Sequence, residues 1–350
     1  MKFAQKAFVY LFLLLVGLGL LVNLVIQTGL GNIFDTLKSF SIIGFIAFWV
    51  VYFTNFVFLT WRWEYILKHF HGKKVPFWRL ILHRFSGWAV SLITPSAQVG
   101  GEPIRVMLLG QEGVRKRDAV FSVVVDKAIQ LTGLVLFGLV GFLFLLSRHL
   151  VSGDIFWALF VSIGFFGVFL FWFYYASIHP ELGFFSSILR LFRLHKLKRF
   201  KKKYNKILIV EDAIRSFHTD HWRRFVMLVV LSMLSECFEM IEFWIIGHFM
   251  GFDFSLAETF LIKALPNITL LLPIPGALGA LESAHVAIFA ILGIPISGLA
   301  FALILRIRDI VNVFIGLTHL SSNGVGVLKR YFIDKFGKGF FRKRYPKLFG

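Results

Sequence analysis

Leu134–Leu146 reads LVLFGLVGFLFLL, an unbroken apolar run. A strand of a transmembrane β-barrel alternates lipid-facing and lumen-facing residues over about ten positions, and this run does not alternate. It lies inside a longer apolar stretch, residues 119–146. About 20 such residues carry an α-helix across a hydrocarbon core. Further stretches of that length are residues 7–27, 40–60, 154–176, 225–251 and 296–320. The expected fold class is all-α, a polytopic membrane helix bundle with about six full spans.

The composition agrees. Of 350 residues, 57% are hydrophobic, 17% aromatic and 16% charged, and the mean hydropathy is +0.77. A soluble domain has nearer a quarter of its residues charged, so much of this surface faces something other than water. The formal net charge is +19. In a soluble chain that would suggest nucleic acid. Here the basic residues gather between and after the apolar spans, notably in Arg190–Lys206 and in residues 329–347. The positive-inside bias accounts for that placement, and anionic lipid headgroups are the expected partners, at about 1 kcal/mol per charge. No nucleic-acid partner is expected.

Orientation follows from the same residues. Arg62, Lys68, Lys73, Lys74 and Arg79 come after the second span and assign that segment to the cytoplasm. The N- and C-termini then also lie inside, in a multi-pass protein of the cell inner or plasma membrane. Lys2 and Lys6 precede the first apolar run as in a signal peptide, but the run is too long and no small-x-small site follows; it reads as a retained span. Cys237, the single cysteine, excludes an internal disulfide and a Cys-based zinc site. Residues 1–327 are expected to form one transmembrane domain with Arg190–Lys206 as its basic cytoplasmic loop, and residues 328–350 a basic tail.

Two apolar regions do not read as simple spans. Residues 77–98 hold Arg79, His83 and Arg84 and lead into TPSAQVGGEPIR (Thr94–Arg105). Residues 256–275 hold Pro266 and lead into LPIPGALGALESA (Leu272–Ala284). Each has proline, then small residues, then a lone glutamate: Pro95, Gly100, Gly101 and Glu102 in the first, Pro273, Pro275, Gly276, Gly279 and Glu282 in the second. Each is followed by an intramembrane charge cluster, Asp126-Lys127 and Arg306-Ile307-Arg308-Asp309. Non-helical backbone at membrane depth survives only inside protein or beside a wet cavity, so both segments read as re-entrant hairpins. Their likeness, and the opposite sides from which flanking charges make them enter, predict an inverted repeat. Paired Gly/Pro-broken segments are the sequence mark of a transporter substrate site.

Charges within spans cost about 3 kcal/mol on insertion scales and default to functional candidates. Asp126 and Lys127 are adjacent, so they point apart and each needs a partner elsewhere, with Arg105 and Glu102 in reach. Arg306 and Asp309 share a helix face that Asn312 extends, while Arg308 is expected to point away from them. Glu236, Glu239 and Glu242, spaced by three, form either a proton or ion relay or a structural network. The expected cavity joins Glu102, Arg105, Asp126, Glu282 and Arg306 around a lipid headgroup, with Lys127, Asp309 and Asn312 beside it. Neither a P-loop nor HExxH, GxSxG or a kinase set occurs, and no catalytic residue, metal or cofactor is assigned.

Thr94–Val114, TPSAQVGGEPIRVMLLGQEGV, followed by the helix bearing Asp126-Lys127, resembles the transmembrane-region family of lysylphosphatidylglycerol synthases. LPIPGALGALESA, leading to Arg306 and Asn312, is similar to that family's second signature. The resemblance spans residues 8–326. It implies a flippase-like unit, here without the cytosolic aminoacyl-transferase, whose substrate is an anionic or zwitterionic glycerophospholipid or polyprenyl phosphate. The family commonly has Glu-Arg where this sequence has Asp126-Lys127. Membrane lipids are the expected partners, and a homo-oligomer is allowed. Two other readings stand beside lipid transport. One is a membrane enzyme of lipid-linked substrates using His69, His71 and His83; the other is a non-transporting scaffold recruiting through Arg190–Lys206.

Overall fold

Hydrocarbon offers no partner to a backbone N–H or C=O, so a spanning chain must satisfy both within itself. The computed structural model describes residues 40–71, 74–94, 100–148, 153–179, 221–272, 274–295 and 297–336, with scattered positions before 40 and between 183 and 217. The described residues contain no β-strand. In chain order they form α1 (Ile42–His71), α2 (Phe77–Ile93), α3 (Glu102–Gln111), α4 (Lys116–Ser147), α5 (Gly153–Ile178), α6 (Trp222–Phe249), α7 (Leu256–Asn267), α8 (Ala280–Ile291) and α9 (Gly298–Phe336). The chain is an all-helical membrane bundle.

Among the described residues, three helical segments are long and apolar enough to cross a membrane unaided: Ile42–His69, Lys116–Ser147 and Leu159–Ala176. Two others have the length, α6 with 28 residues and α9 with 39. Their apolar runs are interrupted by Glu236, Glu239 and Glu242 in α6 and by Arg306, Arg308 and Asp309 in α9. Five of the six expected spans thus coincide with long helices. The sixth, residues 7–27, lies largely outside the described residues, as do Arg190–Lys206, Pro95 and Pro273. Helix α9 continues to Phe336, past the boundary drawn at residue 327.

The outer surface is apolar, as a lipid-facing one must be. Helix α5 exposes Trp157, Phe160, Val161, Phe165, Val168 and Phe171; in water such a patch would mark an interface. Inside, phenylalanines interlock rather than merely coat the bundle. Phe289 and Phe301 have ring centroids 5.2 Å apart, Phe243 and Phe301 5.5 Å, and Phe254 meets Phe289 edge-on at 5.8 Å. Such pairs add about 0.5–1.5 kcal/mol beyond their buried area.

Helices α1 and α6 run antiparallel. Gly44, at the start of α1, lies under Phe249 at the end of α6, and Arg62 donates to Ser232 Oγ at 2.9 Å. This fixes where each hairpin opens. Helices α2 and α3 form a pair entered from the α1 C-terminus, and Arg79 closes its mouth on Glu112 at 2.6 Å. Helices α7 and α8 form a pair entered from the α6 C-terminus, at the other end of the bundle. The two hairpins are therefore inverted with respect to each other. Each is followed by a long helix, α4 or α9, that packs against it.

The first hairpin closes through glycine. Helices α2 and α3 approach so tightly that a Cβ on Gly101 would collide with the Gly87 carbonyl, and one on Gly87 would meet Arg105 Cγ at 2.8 Å. Gly101 N–H donates to Ser91 Oγ at 2.9 Å. The second hairpin bends in stages. Pro266 removes an N–H inside α7, a 3-10 turn covers Ile268–Leu271, and a second covers Pro275–Ala277. Gly276 and Gly279 take positive φ of 57° and 76°, which glycine adopts without a Cβ penalty. Ala277 takes 48° as well, a conformation that costs a non-glycine residue energy.

Gly101→Val should lower the thermal midpoint of the purified protein in detergent, with an overpacking cost of about 1–3 kcal/mol. Gly164→Val, where a Cβ meets nothing within 4 Å, should leave the midpoint in place. Equal shifts at both positions would refute the close-approach account.

Candidate functional site

The intramembrane charges fall into two clusters. The first centres on Asp126, in α4, whose side chain is 1% exposed. Arg62 from α1 reaches its Oδ1 through Nη2 at 2.8 Å and Nε at 3.1 Å. Arg105 from α3 reaches Oδ2 at 2.7 Å, and Arg84 from α2 reaches the same oxygen at 3.2 Å. Arg62 also donates to Ser232 on α6, and Arg84 to the Leu59 carbonyl at 2.7 Å. The Arg105 guanidinium lies 3.8 Å from the centroid of the Trp63 ring, which fixes its plane by cation–π stacking. Next to this cluster, Lys127 turns the other way and pairs with Glu102 at 3.6 Å.

The second cluster lies along α6, α7, α8 and α9. Arg306 forms a two-pronged pair with Glu282, Nε to Oε1 at 2.6 Å and Nη2 to Oε2 at 3.1 Å. The same guanidinium donates to the Gly276 carbonyl at 2.8 Å and to that of Ala277 at 3.4 Å. It thereby satisfies the non-helical backbone of the second hairpin. Asp309 lies 3.5 Å from Arg306 and 3.3 Å from Arg308. Arg308 in turn pairs with Glu242 at 3.1 Å and sits over the Tyr52 ring at 5.4 Å. Asn312 is fully buried beside Tyr52, without a well-formed hydrogen bond to either amide atom among the described residues. One turn away, Lys263 holds Glu236 at 2.6 Å and Glu239 at 3.5 Å.

Two expectations need correcting. Arg62 was assigned to a cytoplasmic segment, but α1 continues to His71 and leaves Arg62 fully buried at Asp126. Arg308 was expected to point away from Asp309; its long side chain turns back and reaches that carboxylate. The residues expected around one headgroup are shared between the two clusters. Tyr52, in the second cluster, and Arg62, in the first, stand ten positions apart on α1, or about 15 Å along its axis. The hairpins themselves do meet. A Cβ at Gly276 would stand 3.3 Å from Leu92, at the end of α2, and 3.6 Å from Arg306 Nη1. Gly100 lies in the turn just ahead of α3.

Sequence reading missed Arg62 and Arg84 as members of the first cluster. Their signal was positional. Tyr52, Asn55 and Arg62 fall on one face of α1, and Arg84 and Ser91 lie on one face of α2 with Gly87 between them. Of the histidines named from the sequence, His69 and His83 do not converge. His69 stacks on Tyr65 with centroids 3.9 Å apart, and His83 faces Glu112 at 3.7 Å. No group of three or more His, Cys, Asp or Glu side chains suited to a metal occurs among the described residues.

Both lone glutamates thus pair with a cation of the charge cluster that follows them, Glu102 with Lys127 and Glu282 with Arg306. Arg306→Met should cost about 3–5 kcal/mol of stability, because it strands a buried carboxylate. The double variant with Glu282→Gln should recover part of that loss in a detergent-unfolding cycle. Additive losses would show that the pair is not coupled.

The family described as Lysylphosphatidylglycerol synthase TM region matches residues 10–316. A protein of Methanothermobacter thermautotrophicus, described as a UPF0104 membrane protein, is 26% identical over 357 aligned residues, covering 96% of this chain and 98% of its own length. No solved structure matches. With both signature segments, Thr94–Val114 and Leu272–Ala284, inside the matched range, the chain belongs to the lysylphosphatidylglycerol synthase transmembrane-region family.

Proposed function

We propose that this protein moves a lipid with an anionic or zwitterionic headgroup between the leaflets of its membrane. One observation carries the reading. Two inverted hairpins, the second with a non-helical turn at Gly276 and Ala277, meet inside the bundle, Gly276 against Leu92, and each is tied by its lone glutamate to the long helix that follows. Broken segments of this kind place polar backbone and charge where a transported headgroup must pass. Buried ionic groups at such insertion cost are default candidates for a transport pathway.

The surroundings support the same reading. Lys68, Arg79, Arg115, Lys116 and Arg117 gather at the end of the bundle where the first hairpin opens, which supports a cytoplasmic placement of that end and an attraction to anionic headgroups. An apolar groove of about 450 Å³ on the outer face of α1, lined by Thr54, Val57, Phe58, Trp61 and Glu64 with Phe77 of α2, suits an acyl chain that stays in the bilayer while the headgroup crosses. Glu102, Arg105, Asp126 and Lys127 handle the headgroup near one leaflet. Glu282, Arg306, Asp309 and Asn312 do so near the other. Glu236, Glu239 and Glu242, with Lys263, are the candidates for a coupled proton or ion.

Reconstitution into liposomes holding tail-labelled fluorescent phospholipids or polyprenyl phosphates tests the reading. Dithionite should bleach the inner-leaflet label faster than in protein-free vesicles, and Arg306→Gln should slow this by about tenfold, the loss expected when an interaction of about 1.4 kcal/mol is removed from the rate-limiting step. Identical bleaching with and without protein, for every lipid, would overturn it.

A further inference from the structure

We infer that Arg62, Arg84 and Arg105 form a phosphate-binding cradle in which Asp126 is a resident competitor that keeps the site from holding its ligand too tightly. The inference rests on the lipid-transport reading for its biological setting, but its chemistry stands on the cradle alone. Three guanidinium groups face one carboxylate. The cluster therefore carries two unbalanced positive charges at a depth where uncompensated charge is costly, and among the described residues no second carboxylate contacts these arginines. An oxyanion with two negative charges would restore neutrality. A phosphate monoester has that charge, and guanidinium groups match its geometry.

The donors divide in the same sense. All three nitrogens of Arg62 are engaged, by Asp126 and Ser232, and its side chain is fully buried. Arg62 is the floor of the cradle. Arg84 and Arg105 each use only Nη2 on described partners, and the buried Nε of both has no acceptor among them. Their side chains are 10% and 7% exposed, whereas Arg62 shows none. The open donor capacity therefore lies with the two arginines of the first hairpin, α2 and α3. Gly87 is what lets Arg105 cross α2 to reach this place.

Asp126 then sets affinity rather than creating it. A bare three-arginine site would hold phosphate tightly and release it slowly, and a carrier needs release. A carboxylate already seated on the same donors makes the incoming oxyanion share or displace it, which lowers affinity and speeds departure.

The test uses the full chain purified in detergent, with inorganic phosphate as probe and chloride at equal ionic strength as control, reading the thermal midpoint. Phosphate should stabilise the protein with saturation, and Asp126→Asn should lower the apparent Kd by at least tenfold. Arg84→Gln should abolish the effect. Equal Kd for the parent and Asp126→Asn, or phosphate acting no differently from chloride, would overturn the inference. Asp126→Asn recovered only when solubilised in phosphate also supports it, because the ion has then replaced the carboxylate. Should that variant fail in both salts, Asp126→Asn combined with Arg62→Met removes one charge of each sign. Tighter phosphate binding by this double variant supports the inference, and chloride-like behaviour overturns it.

A short-chain phosphatidic acid added below its micellar concentration separates the two sources of phosphate. Competition with inorganic phosphate assigns the cradle to a lipid headgroup, and its failure assigns it to the free ion. In liposomes, Asp126→Asn should lower both KM and kcat for lipid movement, whereas a purely structural Asp126 would lower kcat and raise KM. Phosphate binding without any lipid movement would sink the transport reading and leave the cradle standing. Lipid movement with no phosphate effect would sink the cradle alone.

Discussion

Asp126 gathers side chains from three other helices onto one carboxylate. Arg62 comes from α1, Arg84 from α2 and Arg105 from α3, and Arg62 extends the contact to α6 through Ser232. In a bilayer there is no hydrophobic force to press helices together, since lipid tails are as apolar as leucine. Association must come from close packing and from polar groups that have nowhere else to go. A buried carboxylate with three guanidinium partners meets that need for half of the bundle. It also fixes the crossing of the first hairpin, because Arg105 reaches Asp126 only by passing Gly87.

The second half reaches the same end by another route. Its Glu282–Arg306 pair is local to one hairpin and the following helix, and the guanidinium serves the turn itself through the carbonyls of Gly276 and Ala277. Its neighbours are mostly acidic, where the first cluster is mostly basic. The two halves are thus related in topology and opposite in charge. The seam between them runs along α1 and α6, where Ser235 donates to Asn55 at 2.7 Å.

Much of this architecture was legible in the sequence, for a physical reason. Apolar runs such as Leu134–Leu146 leave a helix little alternative in lipid, and Pro with Gly in an apolar segment must bend it, so Gly276 and Gly279 announced the second turn. The pairing of Lys127 with Glu102 followed from the expense of leaving either alone, whereas the sequence reading paired Arg306 with Asp309 and not with Glu282. Arg62 and Arg84 were less legible because a basic residue after an apolar span ordinarily marks the cytoplasmic boundary. Only the continuation of α1 to His71 and the shared face with Tyr52 and Asn55 distinguish Arg62 from such a flank. Arg308 was misread because helix-face geometry places the Cβ and not the end of a long side chain.

The clamp on the second turn has one more consequence. Every nitrogen of Arg306 is already engaged, by Glu282 and by backbone carbonyls next to the strained Ala277. A ligand that takes the donors now held by the Gly276 and Ala277 carbonyls draws that guanidinium away from the turn. On the transport reading proposed above, occupancy of such a site and the shape of the hairpin would be linked variables, and the hairpin would act as a latch whose release is part of the cost of binding.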